Sequence, residues 1–343
     1  PSRRLPYITD NPAHPQVHHF IGLAMGPRNT AGDPLPDTAL LSLRNCARPP
    51  VSLPTLNPLA IAASGSKVSI TMKRSRTILL SLFSLLFSMP SFASIPAPIP
   101  IRVNDGQVKL MGELWLPTNN AANPALVVIV HEWWGLNDYP RSRAKQLNDA
   151  GYAALLVDLF GNGKSVATPP EAQALTGPFY KNGLLAVRRI QKFLKAVESR
   201  TDIDHSRIAA VGYCFGGSQV LNVARSGTLP QIRGVASFHG GLMPAATGPK
   251  ATAALKSKTQ VLVLHGEADP MVKSEDVTAF KLEMTAAGFP LHFVGYPGAL
   301  HAFTNPKATE VGLKFKIPVA YHPEADQKSW AELLLFLKDV FTK

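Results

Sequence analysis

From residue 125 onward the chain alternates short, largely apolar runs with longer stretches whose apolar residues fall three or four apart. A strand apolar on both faces needs cover on both faces, so this alternation calls for a mostly parallel sheet wrapped by helices. Ala125 to Val130 and Ala153 to Val157 are the first such runs, and Ile208 to Val211, Val235 to Phe238, Val261 to Leu264 and Leu291 to Gly295 continue the series. Helical spacing is predicted at about 141–150, at 184–197, from Gly217, at 274–287 and at 325–341. The Gly/Pro-rich stretch from Gly161 to Gly177 and the long segment after Gly295 read as loops. Upstream, Asn104-Asp105-Gly106 separates two β-like runs and predicts an antiparallel hairpin. In such a sheet the loops at the carboxyl ends of the strands carry the chemistry.

The first 93 residues read differently. Met72 opens a stretch in which Lys73, Arg74 and Arg76 precede the apolar run Ile78 to Met89, and Ser91-Phe92-Ala93 offers small residues at a cleavage position. That is the anatomy of a secretory signal, and the run is short for a bilayer span of roughly 20 residues. The expectation is a signal peptide at 72–93, cleavage after Ala93 and a secreted or periplasmic product with no stable membrane anchor. Residues 1–71 hold eleven prolines and no sustained period, so they are expected to lie outside any domain. The competing reading is an internal apolar helix behind a Pro-rich extension.

The whole chain carries 35 Lys/Arg against 23 Asp/Glu. Removing residues 1–93 leaves 26 basic and 20 acidic residues, a net charge of +6 on 250 residues, which one domain accommodates. No basic cluster with interleaved aromatics appears, so nucleic acid is not an expected partner. No Gly-x-Gly-x-x-Gly follows a strand, and no cofactor or metal is expected. Cys46 falls in the segment set aside, which leaves Cys214 as a lone thiol unable to form an internal disulfide.

Cys214 sits in Val211-Gly212-Tyr213-Cys214-Phe215-Gly216-Gly217, between a predicted strand and a predicted helix. The pattern is a nucleophile elbow with Cys in place of Ser, and the helix beginning just after it turns free N–H groups and a positive dipole end toward the sulfur. Asp269 follows another strand in His265-Gly266-Glu267-Ala268-Asp269-Pro270, and His301 follows a third in Ala299-Leu300-His301-Ala302-Phe303. Nucleophile, acid, histidine is the chain order of the α/β-hydrolase fold. Taken singly, each has an ordinary alternative: a buried thiol in a Gly-rich turn, a helix-capping Asp and a loop His.

Together with His131-Glu132-Trp133-Trp134-Gly135 and Tyr321-His322-Pro323-Glu324-Ala325-Asp326, these motifs resemble the dienelactone hydrolase family from about Pro100 to the end. The resemblance implies an α/β class fold, a mostly parallel, doubly wound sheet with helices on both faces, over 94–343. It also implies Cys214 as nucleophile, His301 as general base and then acid, and Asp269 as the group that orients the imidazole. Glu132 would hold the resting cysteine, and the backbone N–H groups of Trp133 and Phe215 would form an oxyanion hole. The dienelactone-cleaving members carry an arginine four residues after the histidine to grip a substrate carboxylate, whereas this chain has Asn305.

The implied chemistry is coherent. An ordinary thiol with a pKa of about 8.5 is only a few per cent ionised near neutrality, so it needs a histidine partner. A developing oxyanion gains about 3 kcal/mol from one well-placed donor. The expected activity is hydrolysis of a small ester or lactone through an acyl-thioester. Acyl transfer or hydrolysis of another carbonyl compound by the same triad, and a non-catalytic thiol sensor on the same fold, are the alternatives. Trp133, Trp134, Phe179 and Tyr180, with Asn305, are candidates to line the substrate pocket, and Lys181 or Lys307 could supply a cation. His131, His239, His265 and His322 lack zinc-ligand spacing and read as loop residues or neighbours of the site.

Overall fold

The computed structural model describes residues 97–118, 122–255 and 259–342. The expected signal at 72–93 and the segment before it lie outside the described residues.

Strands β1 (Ile99–Asp105) and β2 (Val108–Trp115) pair antiparallel, with Asp105 opposite Val108 and Gly106 at φ 63° in the turn, a conformation that glycine adopts without steric cost. Next come β3 (Ala125–Val130), α1 (Asp138–Asp149), β4 (Ala153–Val157), α2 (Pro169–Lys181), α3 (Leu184–Val197), β5 (Asp204–Tyr213) and α4 (Phe215–Ser226). The chain closes with β6 (Ile232–Phe238), β7 (Gln260–Gly266), α5 (Ser274–Ala286), β8 (Leu291–Tyr296), α6 (Ala308–Phe315) and α7 (Pro323–Thr342). The eight strands lie in the order β1-β2-β4-β3-β5-β6-β7-β8, parallel from β4 to β8.

Alternation along the strands divides the core into two layers. Leu126, Val128 and Val130 face one layer, where they meet Ile190 and Phe193 of α3, Phe215 and Val220 of α4, and Phe280 and Met284 of α5. Val127 and Ile129 face the other, with Ala144 and Leu147 of α1 and Leu333 and Leu337 of α7. All six residues of β3 are buried, as its unbroken apolar run requires.

Two expected loops contain helices. The stretch from Gly161 to Gly177 becomes α2 from Pro169, because Pro169 and Pro170 occupy the first turn, where no N–H is needed. Glu171 caps that turn by accepting from the Thr168 N–H and hydroxyl at 3.1 and 2.6 Å. The segment after β8 forms the two-turn α6.

Candidate active site

The carboxyl ends of β5, β7 and the segment after β8 bring Cys214, Asp269 and His301 to one end of the sheet. Cys214 sits between β5 and α4 at φ 54°, ψ −115°, a left-handed conformation that costs a non-glycine residue about 1–3 kcal/mol. The flanking glycines allow the turn to close. A Cβ on Gly212 would lie 2.1 Å from the Gly216 carbonyl oxygen, and one on Gly216 would lie 2.3 Å from that of Val130. The elbow sequence is therefore a packing requirement as well as a motif. Phe215, the first residue of α4, supplies one of the N–H groups that a helix leaves unpaired.

Asp269 is buried and accepts the Met271 N–H through Oδ1 at 2.8 Å. Its Oδ2 lies 2.8 Å from His301 Nδ1 and accepts that ring proton. His301 is buried too, and its Nε2 makes no completed hydrogen bond. Burial opposes protonation of this imidazole, but the adjacent Cys214 sulfur and the Asp269 carboxylate outweigh it and hold the His301 pKa well above its ordinary value. Cys214 is the partly exposed member of the three. An accessible sulfur can attack an electrophile, and an imidazole steered by a buried carboxylate can take the thiol proton and hand it to the leaving group.

Glu132 follows β3 and is buried, which pushes its carboxyl up to about 7, against the lowering effects of Asn305, His301 and Arg143. Asn305 Nδ2 donates to Glu132 Oε2 at 2.7 Å, and Asn305 Oδ1 accepts the Lys307 N–H at 3.0 Å. Asn305 thus serves the glutamate. The Glu132 carbonyl accepts from Gly135 N at 3.1 Å and from His131 Nδ1 at 2.6 Å, which fixes the peptide leading to Trp133.

The aromatic candidates separate into three groups. Phe179 is buried, packed against Phe215 and Phe160 in the core. Tyr180 is exposed, its ring 5.9 Å from that of Phe215 and its hydroxyl within electrostatic range of Cys214. Trp133 packs edge-on against Trp134 with ring centroids 4.8 Å apart. Trp134, Asn305, Lys307 and Phe315 line a cavity of ≈ 580 Å³ between α6 and the segment after β3, and Lys181 is not on its wall.

Sequence reasoning passed over a buried polar chain beneath the site. Cys214 N–H reaches His239 Nδ1, and His239 Nε2 reaches Thr304 Oγ1. Thr304 Oγ1 lies 2.5 Å from the Tyr139 hydroxyl, which also accepts from Arg143 Nε at 3.3 Å. Arg143 is paired with Asp326 at 2.6 Å. The one signal in the sequence was position: Thr304 lies three residues after His301, and His239 directly follows a strand.

A mostly parallel eight-stranded sheet with a cysteine elbow, a following acid and a following histidine defines an α/β hydrolase. Residues 111–341 match the model of the dienelactone hydrolase family, and the chain belongs to that family. An uncharacterized protein of Caenorhabditis elegans is 34% identical over 161 residues, 47% of this chain and 97% of that protein. A Saccharolobus solfataricus protein named as a carboxymethylenebutenolidase is 26% identical over 255 residues, 64% of this chain and 91% of that one. Among solved structures, a dienelactone hydrolase-like promiscuous phosphotriesterase from metagenomic libraries superposes with a TM-score of 0.63 at 30% identity, covering 72% of this chain and 100% of its own. The chain is an enzyme of this ester- and lactone-hydrolysing class.

Proposed function

We propose that this enzyme hydrolyses small, uncharged carboxylic esters or lactones with Cys214 as nucleophile. The observation that carries the reading is the buried Asp269–His301 hydrogen bond, which leaves Nε2 free beside the sulfur at the elbow. His301 takes the thiol proton, and the sulfur attacks the substrate carbonyl carbon. The carbonyl oxygen becomes an oxyanion met by the N–H groups of Phe215 and Trp133. As the tetrahedral intermediate collapses, the carbon–oxygen bond of the ester breaks and the leaving alkoxide takes the proton from His301 Nε2. The acyl group remains on Cys214 as a thioester. Water then gives a proton to His301 and attacks the thioester, and the departing sulfur is reprotonated.

Turnover of a chromogenic short-chain ester before and after alkylation of Cys214 tests the assignment. Alkylation should remove the activity in proportion to the thiol lost. Full activity on a fully alkylated, folded enzyme would refute it.

The secretory pattern at 72–93 supports a second part of this reading, namely that the working enzyme is exported and begins at or near Ser94. N-terminal sequencing of exported protein should give Ser94, and an exported product starting at Pro1 or Met72 would refute it.

A further inference from the structure

We propose that His239 is a positioning residue whose single imidazole ties the Cys214 elbow to the loop that carries His301, and so sets the geometry between nucleophile and base. The inference rests on the reading of Cys214 as nucleophile and goes beyond it.

The tautomer follows from the donors around the ring. The Cys214 N–H, shared with the Phe238 carbonyl at 3.0 Å, points at His239 Nδ1 at 3.1 Å. Nδ1 must therefore be the bare nitrogen, and the ring proton sits on Nε2. Nε2–H then donates to Thr304 Oγ1 at 2.7 Å. His239 is fully buried, and burial, with the charges of His301 and Arg143, keeps its pKa well below the ordinary histidine value. Burial thus favours the neutral ring, in which Nδ1 is an acceptor.

Both ends of this bridge need holding. On one side, Cys214 occupies a strained backbone conformation that persists only when its surroundings fix it. On the other, His301 belongs to a loop whose next residue, Ala302, is also at positive φ, 59°. Thr304 anchors that loop twice, through its hydroxyl to His239 and Tyr139 and through its carbonyl to Arg143, which is held by Asp326. His239 itself is fixed by its own N–H, which donates to the Leu264 carbonyl at 2.8 Å, and by an edge-on contact with His301 at 5.3 Å between centroids. The sulfur and the imidazole come from segments 87 residues apart, and this ring is a short polar path between them.

Two half-replacements separate the contacts. His239→Asn keeps an acceptor near the Nδ1 position, and asparagine tolerates the φ of 41° found there, but the side chain is too short for Thr304. Thr304→Val removes the same contact from the other side. Each should lower kcat for a chromogenic ester about tenfold with KM within about threefold, the mark of an interaction that acts in the transition state. The double variant should also lose about tenfold rather than a hundredfold, because both changes break one bridge. Thr304→Ser, which keeps the hydroxyl, should restore kcat. The rate of Cys214 alkylation by iodoacetamide, which needs no ester turnover, should fall in the same order.

Folded His239→Asn and Thr304→Val variants with wild-type kcat and alkylation rates would overturn the inference, as would losses that multiply or a Thr304→Ser variant that fails to recover. If the wild type instead shows no Cys214-dependent ester turnover, the proposed function fails. The alkylation rates then decide the positioning role alone.

Discussion

Asn305 donates to Glu132 at 2.7 Å and accepts the Lys307 N–H, so both ends of its amide are engaged within the protein. The position that could grip a substrate carboxylate holds a neutral side chain already in use. Charge-assisted hydrogen bonds are roughly twice as strong as neutral ones, so an anionic substrate gains little here. Matched neutral and carboxylate-bearing esters should show kcat/KM at least as high for the neutral one. Asn305→Arg should move the ratio toward the anion by about tenfold, or about 1.4 kcal/mol. A wild-type preference for the anion of that size would place a working cation elsewhere, with Lys307 on the neighbouring cavity wall the first candidate.

Glu132 ties stability to pH. Burial raises its carboxyl to about 7 from an ordinary 4.5, so the folded state favours the protonated form. Its contribution is fully present below pH 4.5 and is lost as pH rises from about 4.5 to about 7. Glu132→Gln keeps an oxygen to accept from Asn305 and removes the charge. Relative to wild type, the variant should gain stability between pH 4.5 and pH 8, by at most about 3 kcal/mol, in denaturant titrations at the two pH values. A constant difference across that range would show that the carboxylate is not paying for ionisation.

Much of this fold is legible because its signals are local. Unbroken apolar runs betray β3, β4, β5 and β7, and Asn-Asp-Gly betrays the hairpin. Helix α2 is hidden because Pro169, Pro170, Gly177 and Pro178 look like loop chemistry, while the Thr168–Glu171 cap that starts it is a four-residue pattern easily passed over. Cys214, Asp269 and His301 are visible through their strand-end positions. The Glu132–Asn305 bond joins residues 173 apart in sequence, and His239 bridges Cys214 and Thr304 across 25 and 65 residues. No periodicity encodes such contacts.

The layer behind the nucleophile depends on an ion pair. Arg225 of α4 is buried and reaches Glu283 of α5 at 2.8 Å and the Leu242 carbonyl at 2.6 Å. Removing one partner leaves the other charge buried and uncompensated, which costs about 3–5 kcal/mol. Glu283→Ala should lower unfolding free energy by about 3 kcal/mol, since Glu283 retains some exposure. A change below 1 kcal/mol in equilibrium denaturation would mean that the guanidinium finds another partner.

Nucleophilic catalysis by Cys214 requires that the sulfur carry the acyl group between the two half-reactions. Mixing the enzyme with an activated 4-nitrophenyl ester, quenching in acid within the first turnovers and measuring intact and peptide masses tests this directly. The predicted result is a mass increase equal to the acyl group, confined to the peptide that contains Cys214 and absent from a folded Cys214→Ala variant that no longer turns over the ester. A Cys214→Ala enzyme that hydrolyses the ester at the wild-type rate, with no adduct on any residue, would contradict it.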